Sequence, residues 1–229
     1  MKNVHLSTSN SVSFSETVEE IMASPSGVGF MAVIGPAGCG KTTEAQRFAT
    51  INPNAIYLSY QDRFTHIGLF KEVCFCVTGS RPYSSQACHE LLQEKFSSHP
   101  QILIVDEADR MPPKHLNTLR DIHDQHGVPI CLCGEEPLRG KLYQERRLIS
   151  RVRRVITFKS INAIDVIKFF KASLDQILSA ELAAQLTRHC QGNFRRVVKD
   201  ALDLERMMRV SGKSTITAEL MKEVCSEDR

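Results

Sequence analysis

The chain has 229 residues, 42% hydrophobic and 24% charged, a balance that excludes a disordered polyelectrolyte and allows one ordinary core plus a smaller satellite domain. Its 29 Lys and Arg nearly cancel its 26 Asp and Glu, for a formal charge of +3, so total charge does not mark a nucleic-acid binder and only the placement of the cations can. No apolar stretch approaches the ~20 residues that span a bilayer and no signal-peptide segment opens the chain, which excludes a membrane partner and makes the cytoplasm the expected location.

In chain order, residues 1–13 are polar and Ser-rich, the composition of a flexible N-terminal tail. Ser15 and Glu16, followed by Val18, Ile21 and Met22, predict a short helix that ends at the S-P-S-G turn over residues 24–27. Continuous apolar runs at 29–34 (GFMAVI), 55–60 (AIYLSY), 101–106 (QILIVD), 129–133 (PICLC) and 154–158 (RVITF) predict five buried strands. Helical periods fill the gaps, as at Leu116, Leu119 and Ile122. Fully apolar strands alternating with helices imply an α/β domain over residues 14–158, with a parallel five-stranded sheet and helices on both faces. After Phe158 the strands stop. Ala163, Val166, Ile167 and Phe170 form one helical stripe, Leu178, Leu182 and Leu186 a second, and Val197, Val198, Ala201 and Leu202 a third, predicting a small all-helical domain over 159–229. The eight cysteines include no C-x-x-C pair; Cys74/Cys76 and Cys131/Cys133 lie in apolar runs and are expected as reduced, packed thiols rather than as metal ligands.

The chemistry begins directly after the first strand. Gly35-Pro36-Ala37-Gly38-Cys39-Gly40-Lys41-Thr42-Thr43 fits G-x-x-x-x-G-K-[ST]. In that pattern the glycines let backbone N–H groups curl around phosphate oxygens, Lys41 neutralises the β/γ charge and the Thr42 hydroxyl ligates Mg²⁺. A strand before it and the helical pattern TTEAQRFA after it supply the context that the pattern needs. Sixty-five residues beyond Lys41 the third strand ends in Asp106 and Glu107. Asp106 is placed to hold Mg²⁺ and Glu107 to orient or deprotonate an attacking water, which argues for hydrolysis over transfer to another acceptor. No N-K-x-D guanine reader occurs, so ATP is expected over GTP.

The stretch DEADRMPPKHLNTLRDIHDQHGVPICLCGEEPLRGKL, with SRVRRVITF and GNFRR after it, resembles the AAA+ ATPases of DNA transposition, the phage Mu transposition protein B and TnsC-type group, over about residues 14–225. The resemblance implies a P-loop AAA+ domain with a helical lid, its nucleotide lying between subunits. Gly192-Asn193-Phe194-Arg195 matches the sensor-2 motif and makes Arg195 the expected γ-phosphate contact, with Arg196 as the fallback and a surface pairing with Asp200 as the alternative. At the sensor-1 position, where the family often has Gly-Asn or Gly-Thr, the chain has Gly134-Glu135, and a carboxylate there would repel a γ-phosphate unless it points away. Ser150-Arg151-Val152 resembles the S-R-C element through which clamp loaders offer an arginine finger to the next subunit, which makes Arg151 the expected finger. Arg146, Arg147, Arg153 and Arg154 of the same run are open between interface salt bridges, nucleotide contacts and DNA contacts.

The resemblance further implies a homo-oligomer, ring or helical filament, around double-stranded DNA, which recruits a DDE-type transposase and disassembles on ATP hydrolysis. Lys71, Arg81 and Lys114 are the candidates to line a DNA channel. The chain leaves no room for the N-terminal helix-turn-helix domain of longer family members, so weaker autonomous DNA binding is expected. A clamp-loader or replication-initiator relative is the alternative, and a small-molecule P-loop kinase the more remote one.

Overall fold

The computed structural model describes residues 1–2, 4–24, 29–98 and 101–226. The chain divides into two compact units, one formed by Asn10–Gly35 and Lys41–Phe158, the other by Met1–Ser9, Pro36–Gly40 and the chain from Lys159 on.

In the first unit, α1 (Ser9–Met22) precedes β1 (Phe30–Ile34), α2 (Lys41–Ile51) and β2 (Ala55–Ser59). After these come α3 (His66–Thr78), α4 (Ser85–Ser98), β3 (Ile102–Asp106) and a 3₁₀ turn over Ala108–Arg110. The unit is completed by α5 (Pro113–His126), β4 (Ile130–Gly134), α6 (Glu136–Gln144), α7 (Arg146–Ile149) and β5 (Val152–Thr157). Among the described residues the five strands form one parallel sheet in the order β2-β3-β4-β1-β5. The three central strands are buried at every position, which is why they are legible as unbroken apolar runs. Helix limits follow local chemistry. The Thr65 side chain accepts from Gly68 N at the start of α3, and Gly79 and Gly127, both left-handed, end α3 and α5.

The edge strand β5 departs from the expected buried strand, because Arg153, Arg154, Val155 and Thr157 are exposed. The polar composition of residues 1–13 predicts a loose tail, whereas α1 has already begun at Ser9 with Ser11 and Phe14 buried. Met1 and Lys2 are also tied down within the second unit, through the Met1 ammonium to Glu205 (2.6 Å) and Lys2 N to Ser173 O (2.8 Å), while Val4 and Leu6 pack on its apolar core. The turn expected after α1 lies, beyond Ser24, outside the described residues.

The second unit is helical: α8 (Ala163–Leu174), α9 (Ala180–His189), α10 (Phe194–Ser211) and α11 (Ala218–Ser226) close around Val166, Phe170, Leu186, Val197, Ala201, Leu204 and Met221. Among the described residues no helix is long and apolar enough to cross a membrane, and no group of three or more His, Cys, Asp or Glu could hold a metal. All eight cysteines are free; Cys131 and Cys133 share one face of β4 with thiols 3.7 Å apart, while Cys74 and Cys76 lie on α3.

Candidate functional site

The loop after β1 is shaped by glycine. Gly38 and Gly40 have φ of +73° and +96°, values that non-glycine residues rarely adopt. A Cβ at Gly38 would also collide with the Asn193 amide, and Phe194 N donates to Gly38 O at 2.8 Å. These contacts fall within the second unit, to which Pro36, Ala37, Gly38, Cys39 and Gly40 belong. Of the loop residues, Cys39 is buried and Pro36 and Ala37 exposed.

In the first unit Gly35 N donates to Gly134 O (3.3 Å). Lys41, the first residue of α2 and only 8% exposed, donates its Nζ to Gly35 O at 2.7 Å. Thr42 and Thr43 follow in the first turn, half-buried and exposed respectively. Asp106, at the end of β3, is 2% exposed. Its Oδ1 accepts from Glu107 N (3.0 Å) and its Oδ2 from the Tyr57 hydroxyl (3.0 Å). Between the tips of β1 and β3 lies Cys133 of β4. The hydrogen bond it shares with Cys131, burial and the Asp106 carboxylate push its thiol well above the ordinary range, and Lys41 pulls against them. Lys41 is held at Gly35, just past the end of β1, and Asp106 ends β3, the two strands on either side of β4; a cation and a carboxylate are the charges that a nucleotide–metal complex requires. Thr42 and Asp106 could offer hydroxyl and carboxylate oxygens, the hard donors that Mg²⁺ takes, so the residues present fit the ion.

Glu107 has φ +60°, a left-handed backbone that costs a non-glycine residue ~1–3 kcal/mol and gathers at functional sites. Its side chain is 44% exposed and 3.8 Å from Arg110, which is paired with Asp62. Glu135 is also exposed, and its backbone N donates to Asp109 Oδ1 (3.1 Å). Asp109 lies so close that a Cβ at Gly134 would stand 2.7 Å from Oδ1.

The arginines of the 146–154 run are separate features. Arg151 makes a two-pronged ion pair with Asp124 (2.6 and 2.8 Å) and also donates to Arg147 O. Arg154 pairs with Glu20 (2.6 Å), Arg153 donates to Ser24 Oγ (3.2 Å), and Arg146 and Arg147 are exposed. Arg195 is exposed in the first turn of α10, where Asn193 caps the helix by accepting from Arg195 N and Arg196 N. Asp200 is buried, accepting from the Cys190 thiol (3.1 Å) with His189 at 3.6 Å. Two candidate DNA contacts are engaged locally. Arg81 forms a fork on Glu72 (2.8 and 3.2 Å) and lies 3.9 Å over the Phe75 ring, while Lys71 donates to Tyr83 O (2.7 Å). Lys114 is exposed in the first turn of α5. Tyr57, whose hydroxyl donates to Asp106, is a neighbour of the site that motif spacing does not reveal, because it sits on a different strand.

Comparison with known proteins gives the same frame. The chain is 25% identical over 130 residues to a "Potential ATP-binding protein" of Staphylococcus aureus, covering 53% of this chain and 48% of that protein. It is 24% identical over 142 residues to the "Mu-like prophage FluMu DNA transposition protein B" of Haemophilus influenzae, covering 58% and 50%. The chain thus spans about half the length of the curated relatives it matches. Among solved structures it is similar to the ADP form of the ORC2 protein of Aeropyrum pernix, with a TM-score of 0.71, 13% identity and coverage of 99% and 70%. It is likewise similar to the RuvB Holliday junction branch migration motor of Thermotoga maritima, with a TM-score of 0.65, 16% identity and coverage of 96% and 68%. The family described as AAA domain matches residues 24–142, more than half of the sequence, and the chain belongs to that family.

Proposed function

We propose that the chain is an ATP-hydrolysing, DNA-binding regulator of transposition that assembles on double-stranded DNA with ATP, recruits a DDE-type transposase and comes apart on hydrolysis. The observation that carries the reading is a buried Lys41 held on Gly35 O just past β1 and a buried Asp106 at the end of β3, the two strands that flank β4. Gly35 to Thr43 bind the phosphates through backbone N–H groups, and Lys41 leaves the Gly35 carbonyl for phosphate oxygens. Thr42 and Asp106 hold Mg²⁺, which when bound neutralises phosphate charge. Glu107 takes a proton from water, and Arg195 contacts the γ-phosphate as the resemblance implies. Arg151 acts on the nucleotide of the next copy after releasing Asp124. An arginine supplied from a different surface of the neighbour makes the contact head-to-tail, which yields a ring or a filament.

The curated relative named as a transposition protein supports this reading over that of a replication initiator or clamp loader, since the likenesses to ORC2 and RuvB are of fold alone. Electron microscopy of the protein with duplex DNA tests it. Ordered assemblies are expected with a non-hydrolysable ATP analogue, few with ADP, and none with Lys41→Ala under either condition. Undiminished assemblies of that variant would overturn the phosphate role of Lys41.

A further inference from the structure

Resting on the reading above that Asp106 serves Mg²⁺, we infer that Tyr57 is a positioning residue for that carboxylate, fixing its orientation and thereby setting the Mg²⁺ dependence of nucleotide binding. Tyr57 lies opposite Ile104 in the β2–β3 register, and Ser59 lies opposite Asp106. The phenol therefore has to span two residues of strand rise, ~6.6 Å, a gap that a tyrosine side chain bridges and a serine or threonine does not. Its hydroxyl donates to Asp106 Oδ2 at 3.0 Å, and Glu107 N donates to Oδ1 at 3.0 Å. One donor on each oxygen fixes the plane of the carboxylate and leaves each oxygen further accepting capacity.

The phenol is itself oriented. Gln46 of α2 donates Nε2 to the Tyr57 hydroxyl oxygen at 3.3 Å, which directs the phenolic proton toward Asp106. An ordinary phenol keeps its proton at neutral pH, so the hydroxyl is a donor to the carboxylate. Gln46, Tyr57 and Asp106 thus form a relay from the outer surface of α2 to the candidate metal ligand. Loss of such an outer-shell partner typically lowers metal affinity ~10–100-fold.

The test is titration of a fluorescent ATP analogue into wild type, Tyr57→Phe, Gln46→Ala and Asp106→Asn, each in excess Mg²⁺ and in EDTA. Tyr57→Phe is expected to weaken binding ~10-fold or more in Mg²⁺ while leaving the EDTA value unchanged. Gln46→Ala, which leaves the sheet untouched, is expected to show the same split with a smaller loss. Equal weakening in both buffers would mean that Tyr57 only supports the sheet, and wild-type values in both would mean that it does nothing; either overturns the inference. If Tyr57→Phe does not fold, the Gln46→Ala split decides. Asp106→Asn separates the two levels: if it abolishes the Mg²⁺ dependence while Tyr57→Phe preserves it, only the inference falls, and if it leaves the dependence intact, the assignment of Asp106 falls with it.

Discussion

At the scale of single residues, two of the groups proposed to act in hydrolysis, Glu107 and Arg151, are held by neighbours. Glu107 sits on a left-handed backbone within 3.8 Å of Arg110, and Arg151 is clasped by Asp124. Pairs as exposed as the latter stabilise by under ~1 kcal/mol, so Asp124 can be exchanged for a phosphate without large cost. Glu107→Gln preserves the size of the side chain and removes its basicity. It should lower phosphate release ~10²–10⁴-fold with nucleotide affinity unchanged, as read by single-turnover release beside an equilibrium titration. That Lys41 stands at the start of a helix and Asp106 at the end of a strand was legible because a glycine-rich turn and a strand that ends in carboxylates are local patterns. The engagement of Arg81 by Glu72 and Phe75 was not, because a charge in a sequence does not state its partner.

At the scale of elements, all five strands were legible, but the exposure of β5 was not, because an edge strand can keep apolar letters while facing solvent. In the helical unit the stripe through Leu178, Leu182 and Leu186 overran its helix: Leu178 is buried, but it lies ahead of Ser179, which caps α9 through Leu182 N. Leu202 likewise fits the period of α10 yet is 47% exposed, since the buried line runs through Val197, Ala201 and Leu204. Periodicity gives the face of a helix, and capping chemistry gives its ends. Asn162 makes that point testable. Its side chain accepts from Ile164 N and Asp165 N while the Asp165 carboxylate accepts from Asn162 N, a reciprocal cap on α8. Asn162→Ala should cost ~1 kcal/mol, a fall of ~2–4 °C in the thermal midpoint for a chain of this size, measured by calorimetry.

At the scale of the whole molecule, the proposal makes the catalytic unit larger than one chain. Arg151→Ala keeps its own Glu107 but offers no finger, and Glu107→Gln offers a finger but cannot activate water. Each alone should be nearly inactive, the finger being worth ~10³-fold or more. Mixed in equal amounts they should regain hydrolysis well above the sum of the two, whereas a mixture no better than its parts would place the arginine in its own subunit. The sequence by itself determined the order of strands and helices, the glycine-rich loop after β1 and the acidic end of β3, because burial on both faces and the needs of a tight backbone turn each impose short local patterns. Only the tertiary structure decided that Tyr57 reaches Asp106, that Asp124 holds Arg151 and that Met1 and Lys2 are tied to the helical unit. Those contacts join residues far apart in the chain, and no local pattern encodes which distant side chain will fill a given gap.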